Sequence, residues 1–224
     1  MIKRINMKPL VRLVDDDEDY RSSQKLFLGM LGWTVRDYGS SAAFLAEDDP
    51  DRPGCLVLDM RMPGMNGLEL QRELLARGAR LPIIFLTGHG DVSTAVHAMK
   101  YGACDFIEKR GDPMALKAAV EKAVEASLAN AKLDRDAQKR LELFDSLTPR
   151  EKDVVLAAAR GASNKDIAEE FGIGLATVKM HRGNAFAKLG VQNALEAYHR
   201  LEGLGLFDNE DHRTESRAKP GAGS

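Results

Sequence analysis

Polar residues capable of chemistry stand where apolar runs end. Asp15, Asp16 and Asp17 come at the close of the run that starts at Leu10, and Asp59 closes Cys55–Asp59. Thr87 closes Pro82–Thr87, and Lys109 follows Cys104–Glu108. Carboxylates held together repel, and a hard divalent cation such as Mg2+ removes that repulsion. Mg2+ takes few protein ligands and leaves room for water and phosphate oxygens. A carboxylate can then attack a phosphoryl group. A lysine and a hydroxyl supply charge and a hydrogen bond to the incoming oxygens. A lone Asp triplet is more often a solvated helix start, since acids favour helix N-termini. The conjunction of four strand ends is what points to a site.

The elements that must position these groups alternate. Leu10–Asp15, Thr34–Tyr38, Cys55–Asp59, Pro82–Thr87 and Cys104–Glu108 read as strands. Glu18–Leu31, Ser41–Glu47, Leu68–Arg77 and Val92–Tyr101 read as helices between them. Parallel strands need crossovers, so this alternation predicts a five-stranded parallel sheet with helices on both faces. In such sheets ligands sit beyond the carboxyl ends of the strands, where strand order reverses. All the polar groups above lie at that edge.

From Pro113 a helical period continues through Leu116, Val120, Val124 and Leu128. Ala129–Leu143 then alternates charge sign, as a solvated spacer helix does. We read Pro113–Phe144 as one helix that leaves the first domain. A second unit without strand signals follows. Thr148-Pro149-Arg150-Glu151 is a helix start, and Gly161, Gly172, Gly174 and Gly190 punctuate four short helices. Asn164–Phe171, a glycine turn and Leu175–Leu189 form a helix-turn-helix pattern. From Phe171 to Leu195 there is no acid, while Lys179, His181, Arg182 and Lys188 occur. That basic helix is an electrostatic footprint for nucleic acid, although a helical bundle with a merely solvated basic face fits the pattern equally well.

The net charge of −2 over 224 residues hides this footprint. Hydrophobic residues at 44% and charged residues at 29% fit a soluble globular protein. No run of ~18 apolar residues or secretory h-region occurs, so a cytoplasmic protein without membrane attachment is expected. Cys55 and Cys104 lack metal or redox spacing and read as reduced, buried thiols.

Val14-Asp15-Asp16, Leu58 through Gly67, Thr87-Gly88-His89-Gly90-Asp91-Val92 and Gly102 through Lys109 resemble, in order and spacing, a receiver domain of the two-component response regulators. The Thr87–Val92 run is similar to the FixJ-like subgroup. The resemblance implies an α/β flavodoxin-like receiver with a five-stranded parallel sheet. It implies that Asp59 accepts phosphate from a sensor histidine kinase. Asp15, Asp16, Asp59 and the main-chain carbonyl of Arg61 would hold Mg2+, with Asp17 outside the metal set. Lys109 would contact the phosphoryl group, and Thr87 and Phe106 would be the switch pair. The family usually has Pro after the lysine, in a cis peptide, whereas Arg110 stands here. A cis bond before a non-proline costs about 2.5–4 kcal/mol, so a trans Lys109–Arg110 bond is expected.

Leu147 through Glu151, Gly161 through Ala168, Thr177 through His181 and Lys188-Leu189-Gly190-Val191 resemble the LuxR-type domain of NarL/FixJ regulators. This implies an all-α four-helix DNA-binding domain. Val178 and Lys179 would face bases or nearby phosphates, and Lys165 and Lys188 the backbone. Thr177 and Arg182 complete the expected DNA-binding set. Gly174 stands where the family often has a Ser cap, and Asn193-Ala194 replaces a common polar pair.

The expected organisation is a receiver over 8–124, a helical linker over 125–145, a DNA-binding domain over 146–207 and a disordered polar tail over 208–224. The expected function is phosphorylation-dependent transcription regulation rather than enzymatic turnover. Phosphorylation would let the fourth-helix to fifth-strand face pair two chains into a homodimer on double-stranded promoter DNA, with RNA polymerase as a further partner. A haloacid dehalogenase type phosphatase also uses an Asp nucleophile and Mg2+. It needs an acid two residues later, where this chain has Arg61. An adaptor that never touches DNA is the remaining alternative.

Overall fold

The computed structural model describes residues 8–49, 51–88 and 92–207, without the side chains at 92–94 and 97. The expected disordered tail therefore lies outside the described residues, as do His89, Gly90 and Asp91. The chain divides into two compact units between Lys132 and Leu133.

The first unit holds strands β1 (Leu10–Val14), β2 (Thr34–Tyr38), β3 (Gly54–Asp59), β4 (Ile83–Thr87) and β5 (Asp105–Glu108). Between them run α1 (Glu18–Met30), α2 (Ser41–Glu47), α3 (Gly67–Ala76) and α4 (Val92–Lys100). Helix α5 (Pro113–Asp145) follows and crosses the division. Element ends differ from the sequence reading by single residues. All strand pairs are parallel, in the order β2-β1-β3-β4-β5. The chain thus steps one way from β1 to β2 and the other way from β3 onward. The crevice between the ends of β1 and β3 is where the acids fall.

Strand alternation sends neighbouring residues to opposite faces. Val14, Leu56, Leu58 and Phe85 pack on one face with Phe44, Leu70 and Leu74. Val11, Leu13, Val57, Ile84 and Leu86 pack on the other with Leu28, Leu116, Val120 and Val124. Continuous burial of β1, β3 and β4 explains why their sequences are apolar without alternation. Cys55 is buried but Cys104 is only half-buried, which corrects the expectation of two buried thiols.

One residue breaks the apolar rule. Arg12, in the middle of β1, is 0% exposed. Its Nε donates to Asp48 Oδ2 at 2.9 Å, and its terminal nitrogens donate to the Asp49 and Leu10 carbonyls. Tyr38 Oη donates to the other Asp48 oxygen at 2.7 Å. Removing one partner of a buried pair strands the other charge and costs about 3–5 kcal/mol. Asp48→Ala should therefore lose stability on that scale in urea unfolding. A loss below about 1 kcal/mol would mean that the pair behaves like a surface one.

The second unit contains α6 (Pro149–Ala159), α7 (Asn164–Phe171), α8 (Leu175–Leu189) and α9 (Ala194–Leu201). Capping boxes start α6 at Thr148 and α7 at Ser163. Asn193 caps α9. Phe144, Leu147, Val155, Ala185, Leu189 and Leu201 form one apolar cluster. Val154, Ala158, Ile167 and Val178 form another, which joins α6, α7 and α8.

Candidate phosphoacceptor centre and nucleic-acid interface

The β1 end delivers Asp15 and Asp16, and the β3 end delivers Asp59. Asp15 and Asp59 are buried while Asp16 is exposed. Their carboxylate oxygens lie within 4.8 Å of one another. Lys109, just past β5, reaches both buried acids, with Nζ 2.7 Å from Asp15 Oδ2 and 3.2 Å from Asp59 Oδ2. No cis peptide bond occurs among the described residues, so Lys109 reaches the site across a trans bond to Arg110. Burial pushes the Asp59 carboxyl up, and the Asp15 charge adds to this, against the opposing pull of Lys109 and of the Arg61 backbone N–H. Burial alone would lower the Lys109 ammonium, but hydrogen bonding and attraction to Asp15, with help from Asp59, hold it above the usual lysine range. A crowded acid pair with one resident cation is an anionic pocket short of positive charge.

The donor set fits Mg2+. It offers only carboxylate oxygens, the ligands a hard cation takes. Asp15 Oδ2 is closed off from solvent, with the Lys109 ammonium as its charged neighbour at 2.7 Å. Asp17 is engaged elsewhere. It is the N-cap of α1, its Oδ1 accepting the Tyr20 N–H at 3.0 Å. Asp17→Ala should cost about 1 kcal/mol of stability, the usual loss of a cap, and leave phosphoryl uptake in place. Asp16→Ala should abolish uptake. Gel-shift assays of both variants after acetyl phosphate and Mg2+ check this, and the reverse order would shift the acid register by one.

Thr87 is buried at the end of β4, and Phe106 lies opposite Phe85 in the β4–β5 register, packed on the first core face. Gly67 opens α3 under the acceptor strand. A Cβ there would sit 2.4 Å from the Asp59 carbonyl oxygen. Position 67 therefore keeps α3 close beneath Asp59, a role its place in the sequence motif did not reveal.

In the second unit Gly172, with φ of 62°, ends α7, and Gly174 starts α8 without a side-chain cap bond. Lys179 and Lys165 are exposed. Thr177 and Arg182 are half-buried, and Arg182 donates to Asn164 Oδ1 at 2.7 Å while lying over the Phe186 ring. One expected DNA contact is corrected. Val178 is 0% exposed and packs on Val154 and Ile167, so its side chain cannot touch a base. Residues advance about 100° around a helix, so an inward 178 turns 179 and 180 outward. Met180, 53% exposed, is the residue that the sequence reading missed. Lys188 makes an ion pair within the unit. Its Nζ is 2.6 Å from Oε2 of the buried Glu151, and the Thr148 N–H donates to that same oxygen at 2.8 Å. Lys188 braces α8 against the start of α6, and its side chain stays 40% exposed.

Comparison with known proteins places both units. Residues 11–121 match the response regulator receiver domain, and residues 145–201 match the luxR family of bacterial regulatory proteins. Nodulation protein W of Bradyrhizobium diazoefficiens is 36% identical over 208 residues, covering 93% of this chain and 92% of that protein. The transcriptional regulatory protein FixJ of Rhizobium meliloti is 42% identical over 179 residues, covering 80% of this chain and 88% of that protein. The chain belongs to the response regulators that join a receiver domain to a LuxR-type DNA-binding domain. Among solved structures, response regulator StyR matches with a TM-score of 0.82 and 40% identity, over 88% of this chain and 99% of that one. Full-length FixJ from B. japonicum matches with a TM-score of 0.53 and 35% identity, over 88% and 97%. This response regulator has the parallel receiver sheet and the helical DNA-binding unit expected from its sequence.

Proposed function

We propose that this response regulator takes a phosphoryl group on Asp59 from a sensor histidine kinase and, once phosphorylated, binds promoter DNA as a homodimer. The observation that carries the reading is the buried Asp15–Asp59–Lys109 cluster at the sheet's switch point. Asp59 is the nucleophile, because it ends the central strand and, at 5% exposed against 0% for Asp15, is the less sealed of the two buried acids. Asp15, Asp16 and Asp59, with the Arg61 carbonyl, would hold Mg2+. The ion would supply charge neutralisation for the transferring oxygens. Lys109 holds its ammonium against both buried carboxylates and so stands ready for a phosphoryl oxygen.

Phosphorylation adds roughly −2 of charge. Thr87 and Phe106 read that change and alter the α4–β5 face. Val96, Met99 and Tyr101 are exposed apolar residues there, the composition a pairing surface needs. Two helix-turn-helix units can then meet two half-sites, with RNA polymerase as a later partner. Lys165, Thr177, Lys179 and Arg182 supply the DNA contacts. No described helix is long and apolar enough to cross a membrane, which suits action in the cytoplasm. The test is sedimentation and salt-titrated DNA binding with and without acetyl phosphate and Mg2+. Dimer formation and tighter DNA binding on phosphorylation are expected. Unchanged mass and no DNA binding at low salt would favour an adaptor.

A further inference from the structure

Lys109 has a third neighbour besides the two acids. Its Nζ lies 4.8 Å from the centre of the Tyr20 ring. Tyr20 sits in the first turn of α1, where its N–H is fixed by the Asp17 cap at 3.0 Å. Its ring is half-buried and packs on the core face formed with α5. Burial, then the charges of Asp15 and Asp59, push its hydroxyl up to about 12, so the ring stays neutral and electron-rich. An ammonium over such a face is held by the ring quadrupole, more strongly where water is excluded. Arg110, unlike a proline, puts no ring constraint on the backbone beside Lys109. Side-chain contacts must therefore aim this long, flexible amine.

We propose that Tyr20 is a positioning residue for phosphoryl transfer, its ring face holding the Lys109 ammonium against Asp15 and Asp59. The role rests on the reading of Asp59 as phosphoacceptor. It separates the two parts of the tyrosine, since the ring matters and the hydroxyl does not.

The test uses the full chain with acetyl phosphate and Mg2+, following the initial rate of acyl-phosphate formation. Tyr20→Phe should stay within about twofold of wild type. Tyr20→Leu, which keeps apolar bulk but has no π face, should be about three- to tenfold slower, the scale of a partly desolvated cation–π contact. In a Lys109→Ala background Tyr20→Leu should cause no further slowing, because its effect runs through the ammonium. A second readout needs no phosphoryl donor. Ring-current shifts of the Lys109 side-chain protons in NMR should persist in Tyr20→Phe and vanish in Tyr20→Leu. Equal rates in wild type and Tyr20→Leu, equal slowing with and without Lys109, or lysine shifts indifferent to the ring would each overturn the proposal. Should Tyr20→Leu fail to fold, Tyr20→Met replaces it in both measurements. A wild-type chain that takes no phosphoryl group sinks the Asp59 reading alone, and the NMR shifts still decide whether the ring holds the amine.

Discussion

Asp59→Asn is expected to take up no phosphoryl group from acetyl phosphate and Mg2+, and the same protein is expected to melt at a higher temperature than wild type. Both results follow from one arrangement. An amide is not a nucleophile here, so the acyl phosphate cannot form. Yet Asp59 is held in its charged form against burial and against Asp15, which raises its pKa above the ordinary aspartate value. A carboxyl with a raised folded pKa favours the folded state when protonated, and this contribution is lost as pH rises from the unfolded value through the folded one. At neutral pH the charge is therefore a net strain on the fold, and the amide removes it. Mass spectrometry locates the label, and calorimetry at pH 7 reads the stability. Label on another residue, or full labelling of the variant, would falsify the acceptor assignment. A lower melting temperature would show that Asp59 is worth more to Lys109 than it costs Asp15. Activity and stability pulling apart at one residue is common where a site needs crowded charge.

Lys179→Ala is expected to weaken DNA binding by about 1–3 kcal/mol and to blur preference at one position of the site, as loss of a base contact does. Lys165→Ala, by contrast, weakens all sequences alike and lowers the log–log salt slope by ~0.9, as loss of a phosphate contact does. Val178→Ala should leave sequence preference intact and reduce the stability of the DNA-binding unit, because its side chain is sealed between α6 and α7. Binding titrations on a randomised half-site, run at several salt concentrations, separate the three. If Lys179→Ala changes neither affinity nor preference, the outward face of α8 is not the reading face.

The receiver sheet was legible because its three inner strands, β1, β3 and β4, are buried on both faces. Such strands are written as unbroken apolar runs, and the polar residues that end them mark the functional edge. The acids, Thr87 and Lys109 could be placed on that ground alone. Arg12 could not be foreseen, because its partner Asp48 caps the end of α2, 36 residues along the chain, and only folding brings the two together. Tyr20 escaped for a similar reason. Nothing local distinguishes an aromatic in a first helical turn from a core residue, and its ammonium neighbour is far along the chain. In the second unit the helices could be read from caps and glycines, but the rotation of α8 could not. A motif names residues in a row, whereas a groove meets only those on one side of the cylinder. For that reason Val178 lies inside and Met180 outside.

The Glu151 carboxylate closes a loop of contacts that runs from the Thr148 cap to Lys188 at the far end of α8. It works as a rivet: the first turn of one helix and the last turn of another are fastened at one point. Such a fastening, with the apolar packing of α6 on α8, sets the angle between the two helices when the unit folds. On the function proposed above, control over binding would come from outside the unit, through how many such faces are presented together and at what spacing, and the receiver would act as a switch on assembly rather than a sculptor of the helix.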